Sequence, residues 1–329
     1  MTWLVWRQHR RAGLVMVIVL AAIAAFLVPT GLQMRHAAKG FSDCVAKLGH
    51  GQVVAPQALN DCHQLSQVFV NRYTPMTYVA ILLLFAPVLV GMFWGAPLVA
   101  REVEQGTHRF AWTQGVSRRR WTLTKAALVG GFVVLAAVAY ALLINWWIQP
   151  FTVGNGSRLA SGLFDSQGVV PVAYTLFAVA LGVFAGSYWR KVLPAMGVTL
   201  AGFAVVRLGV ALIARPNFGT PEIAKIPVAS QAIFNDFNGN LVLDRAVRLA
   251  DGTTVMNDAM VSCPGGRARP VPAGGDPLAA ACGKPGTYNW LSYQPADRFW
   301  PFQYIEAGIF VVLAAVLLLL AFRKVRQIS

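Results

Sequence analysis

The sequence predicts an all-α polytopic membrane protein with six transmembrane helices and a small extracytoplasmic α/β or β-containing domain between helices 5 and 6. Two observations predict this fold. Of the 329 residues, 56% are hydrophobic and only 12% are charged, whereas soluble domains average about 25% charged residues. In addition, six apolar stretches reach or approach the length of about 20 residues that a helix needs to cross the bilayer.

Four of the six stretches contain no Asp, Glu, Lys or Arg and have at least 23 residues each. The fifth is interrupted by Arg207, and the sixth has Glu306 near its start. The first stretch follows a basic segment, so a cleaved signal peptide is an alternative, although the length of the stretch favours a membrane span.

The distribution of basic residues predicts that both termini lie in the cytoplasm, because Lys and Arg concentrate in short cytoplasmic loops. Segments on the side of the N-terminus hold 14 basic and two acidic residues, whereas those on the other side hold 13 and 10. This excess charge flanks the membrane, so we expect contacts with lipid head groups and no nucleic-acid partner. The predicted segments are a cytoplasmic amphipathic segment (1–11), TM1 (12–32), an outer loop (33–76), TM2 (77–99), a cytoplasmic loop (100–125), TM3 (126–148), an outer loop (149–168), TM4 (169–189), TM5 (192–212), the outer domain (213–301), TM6 (302–322) and a cytoplasmic tail (323–329).

The outer domain is far longer than a connector needs to be and is rich in Gly, Pro, Asn and Asp. Within it, residues 240–244 and 247–255 alternate between apolar and polar side chains around Asp251-Gly252. An Asp-Gly pair flanked by such alternation is a strong hairpin signal. We therefore expect β-structure in this domain.

All four cysteines fall on the outer side of this topology: Cys44, Cys62, Cys263 and Cys282. This distribution predicts an oxidising compartment and two disulfides, most simply one within each outer segment, although four cysteines allow three pairings. A zinc site in the first outer loop is an alternative, but its spacing matches no usual ligand pattern, so we expect no metal. Its ligands would be Cys44, His50, Cys62 and His63.

Two charged residues, Arg207 and Glu306, lie inside the predicted spans, at about six and four residues from the outer ends. Two interpretations are open. Arg207 faces a polar cavity and contacts an anionic substrate, or the two residues form an intramembrane ion pair or Arg207 snorkels outward.

The spans offer no catalytic chemistry. Every histidine lies outside them, no Asp lies within them, and the chain has no G-x-x-x-x-G-K-[ST] phosphate loop. We therefore expect no catalytic residues, no ATP site and no enzymatic activity in this chain.

The loop between spans 2 and 3 carries the most specific motif. Residues 100–107 read Ala-Arg-Glu-Val-Glu-Gln-Gly-Thr, and a basic segment at 118–120 leads into span 3. This loop resembles that of ABC type-2 permeases, which carry an A-R-E-x-E-x-G-T-like signature at the end of the second span, followed by a short helix and a basic return. The chain departs from that family where a Gly- and Pro-rich domain stands in place of short re-entrant helices before span 6.

The resemblance implies a membrane subunit that couples through this loop to a cytoplasmic ATP-binding subunit. Two permease copies, most simply a homodimer, would act with two ATPase copies, and ATP and Mg²⁺ would be bound by the partner. The implied coupling residues are Glu102 and Glu104 as contacts to the ATPase, Gly106 and Thr107 as a turn, Arg109 in the coupling helix, and Arg118, Arg119 and Arg120 as phosphate anchors. From the residues alone, the two acids have an alternative role as helix caps that balance nearby arginines.

With this resemblance, the sequence predicts the permease subunit of an ATP-driven ABC exporter in the plasma membrane of a bacterium. It would move an amphipathic compound, such as a drug in multidrug resistance, a peptide antibiotic or a lipid, outward by alternating access. The alternative is a non-transporting membrane sensor or immunity protein whose outer domain binds a ligand.

Overall fold

A computed structural model describes residues 2–48, 56–104, 118–154, 157–228, 240–261, 263, 282 and 284–326. These residues are mostly helical, with a four-stranded antiparallel sheet in the C-terminal region. Among them, six helices are long and apolar enough to cross a membrane, which confirms the predicted helical membrane fold. We refer to them as spans 1 to 6: Arg10–Gly40, Asn71–Arg101, Ala127–Thr152, Val170–Trp189, Val192–Asn217 and Ala296–Lys324.

The helices extend well beyond the apolar stretches that predict them. The first has 47 residues and is therefore about 70 Å long, more than twice the thickness of the hydrocarbon core. The segment predicted as a loop over 33–76 is helical over 33–48 and 56–76, because hydropathy detects only the part of a helix that lies in lipid. The helices are Thr2–Leu48, Pro56–Leu83, Ala86–Val90, Ala96–Glu104, Arg118–Gly154, Ser161–Ser166, Val170–Trp189, Val192–Gly209 and Phe299–Arg326, with π-helical turns at Gly91–Gly95 and Val210–Ala214 and 3₁₀ turns at Arg215–Asn217 and Ala296–Arg298.

Spans 2 and 4 touch backbone to backbone through four glycines, Gly91, Gly95, Gly182 and Gly186, which we call the glycine seam. A Cβ atom added at Gly91 would lie 2.5 Å from the carbonyl oxygen of Ala178, and one at Gly182 would lie 2.5 Å from that of Gly91. No side chain fits at such distances, and small residues four apart are the usual means of close helix approach in membranes. The seam therefore fixes spans 2 and 4 against each other.

The sheet lies in a compact unit formed by residues 155–160 and 217–299, whereas the helices form the other unit. Its strands, in the order β1-β4-β2-β3 and all antiparallel, are β1 (Glu222–Pro227), β2 (Leu241–Arg248), β3 (Thr254–Asn257) and β4 (Tyr288–Gln294). Gly252 has φ +89° in the turn between β2 and β3, a conformation that glycine adopts without a steric cost. The predicted Asp-Gly hairpin is thus confirmed.

The predicted disulfide between Cys263 and Cys282 is also confirmed, with a Cα–Cα distance of 5.7 Å. It packs against the buried side chains of Val228, Val247 and Val261 and closes a small core beside the sheet. Cys44 is disulfide-bonded as well, so its sulfur does not serve as a thiolate ligand in the alternative zinc site. The side chains of Cys62 and His63, and residue His50, lie outside the described residues.

Candidate functional site

Four charged side chains meet in the helical unit, between spans 5 and 6 and the short helix that precedes span 4. Arg215 binds Glu306 through two hydrogen bonds, from Nε to Oε2 at 2.9 Å and from Nη2 to Oε1 at 2.8 Å. Its Nη2 also lies 2.5 Å from Oδ1 of Asp165. Arg207 completes the chain of ion pairs, with Nη2 at 2.9 Å from Oδ2 of Asp165. Together with Tyr174, these residues form what we call the charge cluster.

The charge cluster is buried and electrically balanced. Glu306 is fully buried, the side chain of Asp165 is 7% exposed and that of Arg207 is 15% exposed. Tyr174 donates from its hydroxyl to Oε1 of Glu306 at 2.5 Å. The two positive and two negative charges of the cluster compensate each other. Buried charged groups need such partners because their surroundings solvate them poorly.

The π-helical turn of span 5 explains why Arg207 and Arg215 reach the same acid. In an uninterrupted α-helix, eight residues rotate by about 800°, which is about 80° past two full turns. The turn at Val210–Ala214 accommodates one extra residue, so the rotation falls to that of seven residues, about 700° and close to two full turns. Both arginines therefore face Asp165.

Span 2 is interrupted beside the charge cluster, and two side chains bind the carbonyl oxygens left without a helical partner there. Pro87 has no N–H, so the carbonyl oxygen of Leu83 lacks its helical donor. The hydroxyl of Tyr140 donates to that oxygen at 2.6 Å, and Nη1 of Arg207 lies 3.3 Å from the carbonyl oxygen of Leu84. Side chains from spans 3 and 5 thus satisfy the backbone where the helix is interrupted, as a lipid environment requires.

Arg207 and Glu306 do not pair with each other, contrary to one interpretation of the sequence. Each has a different partner, Asp165 and Arg215, both of which the predicted topology assigned to outer segments. The reason is that span 5 continues to Asn217 instead of ending at residue 212. The signal that could have found them is positional: Asp165 directly precedes an uncharged run, and Arg215 follows Arg207 by eight residues. Contact between Arg207 and a substrate stays a prediction.

The described end of the predicted coupling loop is packed onto spans 4 and 5. The helix Ala96–Glu104 contributes Ala96 and Ala100 to a buried cluster of small side chains with Ala185 and Ala195. Oε2 of Glu104 accepts a hydrogen bond from the backbone N–H of Val192 at 3.2 Å. Since Lys191, the N-cap residue, makes no side-chain cap, Glu104 caps the first turn of span 5 from another helix.

Most of the other predicted coupling residues follow Glu104 in the chain. Gly106, Thr107 and Arg109 lie outside the described residues, and so do the side chains of Glu102 and of 118–120. Their roles in ATPase coupling stay predictions. Across the part of the chain that the structure describes, no group of three His, Cys, Asp or Glu residues is placed to hold a metal ion.

The sequence profile of one protein family, described as ABC-2 membrane transporter related, matches residues 17–215. The matched region covers more than half of the chain and includes the predicted coupling loop. The chain belongs to this family. No curated protein and no solved structure matches it.

Membership confirms the resemblance to ABC type-2 permeases and makes the chain a multi-pass membrane subunit of the ABC transporter type, a kind of subunit that is typically non-catalytic and works with an ATP-binding partner. The family match includes Asp165, Tyr174, Arg207 and Arg215 but ends before the sheet and span 6. Glu306 is therefore the one member of the charge cluster that lies outside the matched region.

Proposed function

We propose that this ABC-2 family protein is the permease subunit of an ATP-driven exporter, coupled to its ATPase through residues 101–121. The observation that carries the proposal is the seating of the helix Ala96–Glu104 on spans 4 and 5, with Glu104 capping Val192. A force applied to the loop reaches the first turn of span 5 directly. Span 5 in turn carries Arg207 and Arg215 to the charge cluster.

Alternating access follows from this connection as the proposed mechanism. Binding of ATP to the partner would displace the loop, tilt span 5 and change the ion pairs at its other end. The two positive side chains of span 5 have acidic partners on two different elements, the short helix before span 4 and span 6. A shift of span 5 would therefore alter the balance between these partners without leaving a buried charge unpaired.

Other elements of the proposal rest on charge distribution and family. The basic flanks favour cytoplasmic termini, and the proposed location is the plasma membrane of a bacterium. Two copies of this chain, as a homodimer, would act with two ATPase subunits that bind ATP and Mg²⁺. The cargo would be an amphipathic compound, such as a drug, a peptide antibiotic or a lipid.

Copurification with an ABC ATP-binding subunit, such as one encoded beside this chain's gene, tests the proposal. Tagged wild-type protein should retain the ATPase, and the Glu102→Arg, Glu104→Arg variant should lose it. Glu222→Gln, which changes a charge in the sheet unit, serves as the control and should bind normally. Wild-type binding by the double variant would overturn the coupling assignment.

One further variant separates the two roles of Glu104. Glu104→Gln removes the charge but keeps a side-chain oxygen that accepts from Val192. If the ATPase recognises the carboxylate, this variant should bind more weakly while its thermal stability stays at the wild-type value. Unchanged ATPase binding by Glu104→Gln would restrict Glu104 to capping span 5.

The second candidate function is a sensor or immunity protein, which the disulfide-closed sheet unit favours. That function predicts no ATPase in the pulldown and full tolerance of the Glu102→Arg, Glu104→Arg variant in a cellular resistance assay.

A further inference from the structure

An apolar groove of about 600 Å³ runs along the helical unit between spans 1, 2 and 3. Its span 1 wall consists of Ala12, Val15, Met16, Val19, Leu20 and Ile23. This spacing repeats every three to four residues and therefore forms one continuous helix face. Residues 82–94 of span 2 and residues 133–140 of span 3 supply the other walls.

The walls of the groove are almost entirely apolar: besides two hydroxyls, on Tyr140 and on Thr175 of span 4, the lining polar group is the indole N–H of Trp94. The two lining hydroxyls are already engaged, since Tyr140 donates to the carbonyl oxygen of Leu83 and Thr175 to that of Pro171. No charged residue is among the lining residues. The site therefore suits hydrocarbon, in the volume range of ligand pockets.

The length of the groove suits one acyl chain. From Ala12 to Ile23 the wall extends for about 17 Å, or about half of the hydrocarbon core, which is the depth of one leaflet. An acyl chain of a lipid in that leaflet covers this depth, whereas a transmembrane helix of a second copy would extend across the whole hydrocarbon core.

The charge at one end of the groove identifies the head group. Arg10 and Arg11 are exposed and directly precede Ala12, where the groove begins. Arginines at the membrane surface attract anionic head groups. We propose that this groove binds one acyl chain of an anionic phospholipid, with its phosphate held by Arg10 and Arg11. This site is separate from the coupling loop, so binding is measurable on this chain without an ATPase.

A photoactivatable phosphatidylglycerol with a diazirine in its acyl chain tests the site. The full-length protein would be placed in phosphatidylcholine nanodiscs containing the probe, irradiated and mapped by peptide mass spectrometry. Val19→Trp should lower labelling of the span 1 wall about tenfold, which corresponds to lost contact with about two methylene groups. The matched control is Val17→Trp, which alters an equally exposed valine, 54% against 49%, outside the groove and should leave labelling unchanged.

A second experiment tests whether Arg10 and Arg11 select an anionic head group. The phosphatidylglycerol probe should label the groove about tenfold more than a phosphatidylcholine probe, and the Arg10→Gln, Arg11→Gln variant should abolish that preference. Arg323→Gln is the charge control. Thermal unfolding of each variant confirms that it is folded.

Two results would overturn the inference. One is equal loss of labelling in Val19→Trp and Val17→Trp, which would mean that labelling follows general exposure. The other is an intersubunit disulfide formed by Val19→Cys but not by Val17→Cys, which would mean that a second copy covers the groove. Either result leaves the copurification test of the proposed function unaffected.

Discussion

The glycine seam and the charge cluster hold span 4 in opposite ways. At Gly182 and Gly186, span 4 contacts span 2 through backbone atoms alone, at distances that admit no side chain. At Tyr174, it contacts spans 5 and 6 through long side chains and ionic hydrogen bonds. Backbone contacts have one geometry, whereas arginines and carboxylates have several. For the proposed alternating-access cycle, this comparison predicts that spans 2 and 4 would move as one body while the ion pairs of spans 5 and 6 rearrange.

Removing one charge from the cluster should have the largest effect. Glu306→Gln leaves two arginines with one carboxylate, and an uncompensated buried charge costs about 3–5 kcal/mol in the free energy of unfolding. The Arg215→Gln, Glu306→Gln double variant restores balance, because Asp165 and Arg207 still pair. It should recover most of the loss, as measured by unfolding in detergent micelles. Equal stability of single and double variants would mean that charge balance does not govern this site.

Adding a side chain in the glycine seam should lower the free energy of unfolding nearly as much as removing a charge from the charge cluster. Gly182→Leu places a side chain against backbone atoms of Gly91 and Ala96, with the Cβ at 2.5 Å and 2.6 Å. Because the backbone of span 2 must move, the expected cost is about 3 kcal/mol, at the upper end for overpacking. Gly197→Leu is the matched control, since nothing lies within 4 Å of its added Cβ. Equal melting temperatures of the Gly182→Leu and Gly197→Leu variants would contradict the close packing of spans 2 and 4.

The hydroxyl of Tyr174 tests how much one hydrogen bond contributes to the charge cluster. Tyr174→Phe keeps the ring contacts with Phe203 and Phe310 but removes the donor to Glu306. A hydrogen bond to a charged group is worth about 2 kcal/mol, so the variant should be destabilised by that amount. Its effect should shrink when Glu306 is already Gln, which a double-mutant cycle measures. Full additivity would rule out a direct contact.

The exposed ion pair between Arg298 and Glu222 in the sheet unit, at 3.0 Å, should have the smallest effect. Solvent screens both charges, so Glu222→Gln should change the free energy of unfolding by less than about 1 kcal/mol. High salt should abolish even this difference, whereas it should leave the effect of Glu306→Gln largely intact. A large effect here would mean that burial does not explain the sensitivity of the charge cluster.

The sequence predicts the helical spans, the hairpin and the Cys263–Cys282 disulfide because each depends on local pattern. Long uncharged runs form helices that cross the membrane, and an Asp-Gly turn pairs the two strands on either side of it. The partners of Arg207 and Glu306 depend instead on helix rotation. The π-helical turn at Val210–Ala214 leaves no hydropathy signal, so neither Arg215 nor Asp165 is predicted as part of the site. The glycine seam is visible as G-x-x-x-G spacing in spans 2 and 4, but spacing alone does not tell which helices pair.

ATP hydrolysis by the partner ATPase, reconstituted in nanodiscs with and without this chain, tests the central claim most directly. Wild-type permease should raise ATP turnover several-fold, and the Glu102→Arg, Glu104→Arg variant should return it to the level of the ATPase alone while remaining folded. Turnover that is the same with wild-type protein, with the variant and without any permease would contradict coupling through residues 101–121.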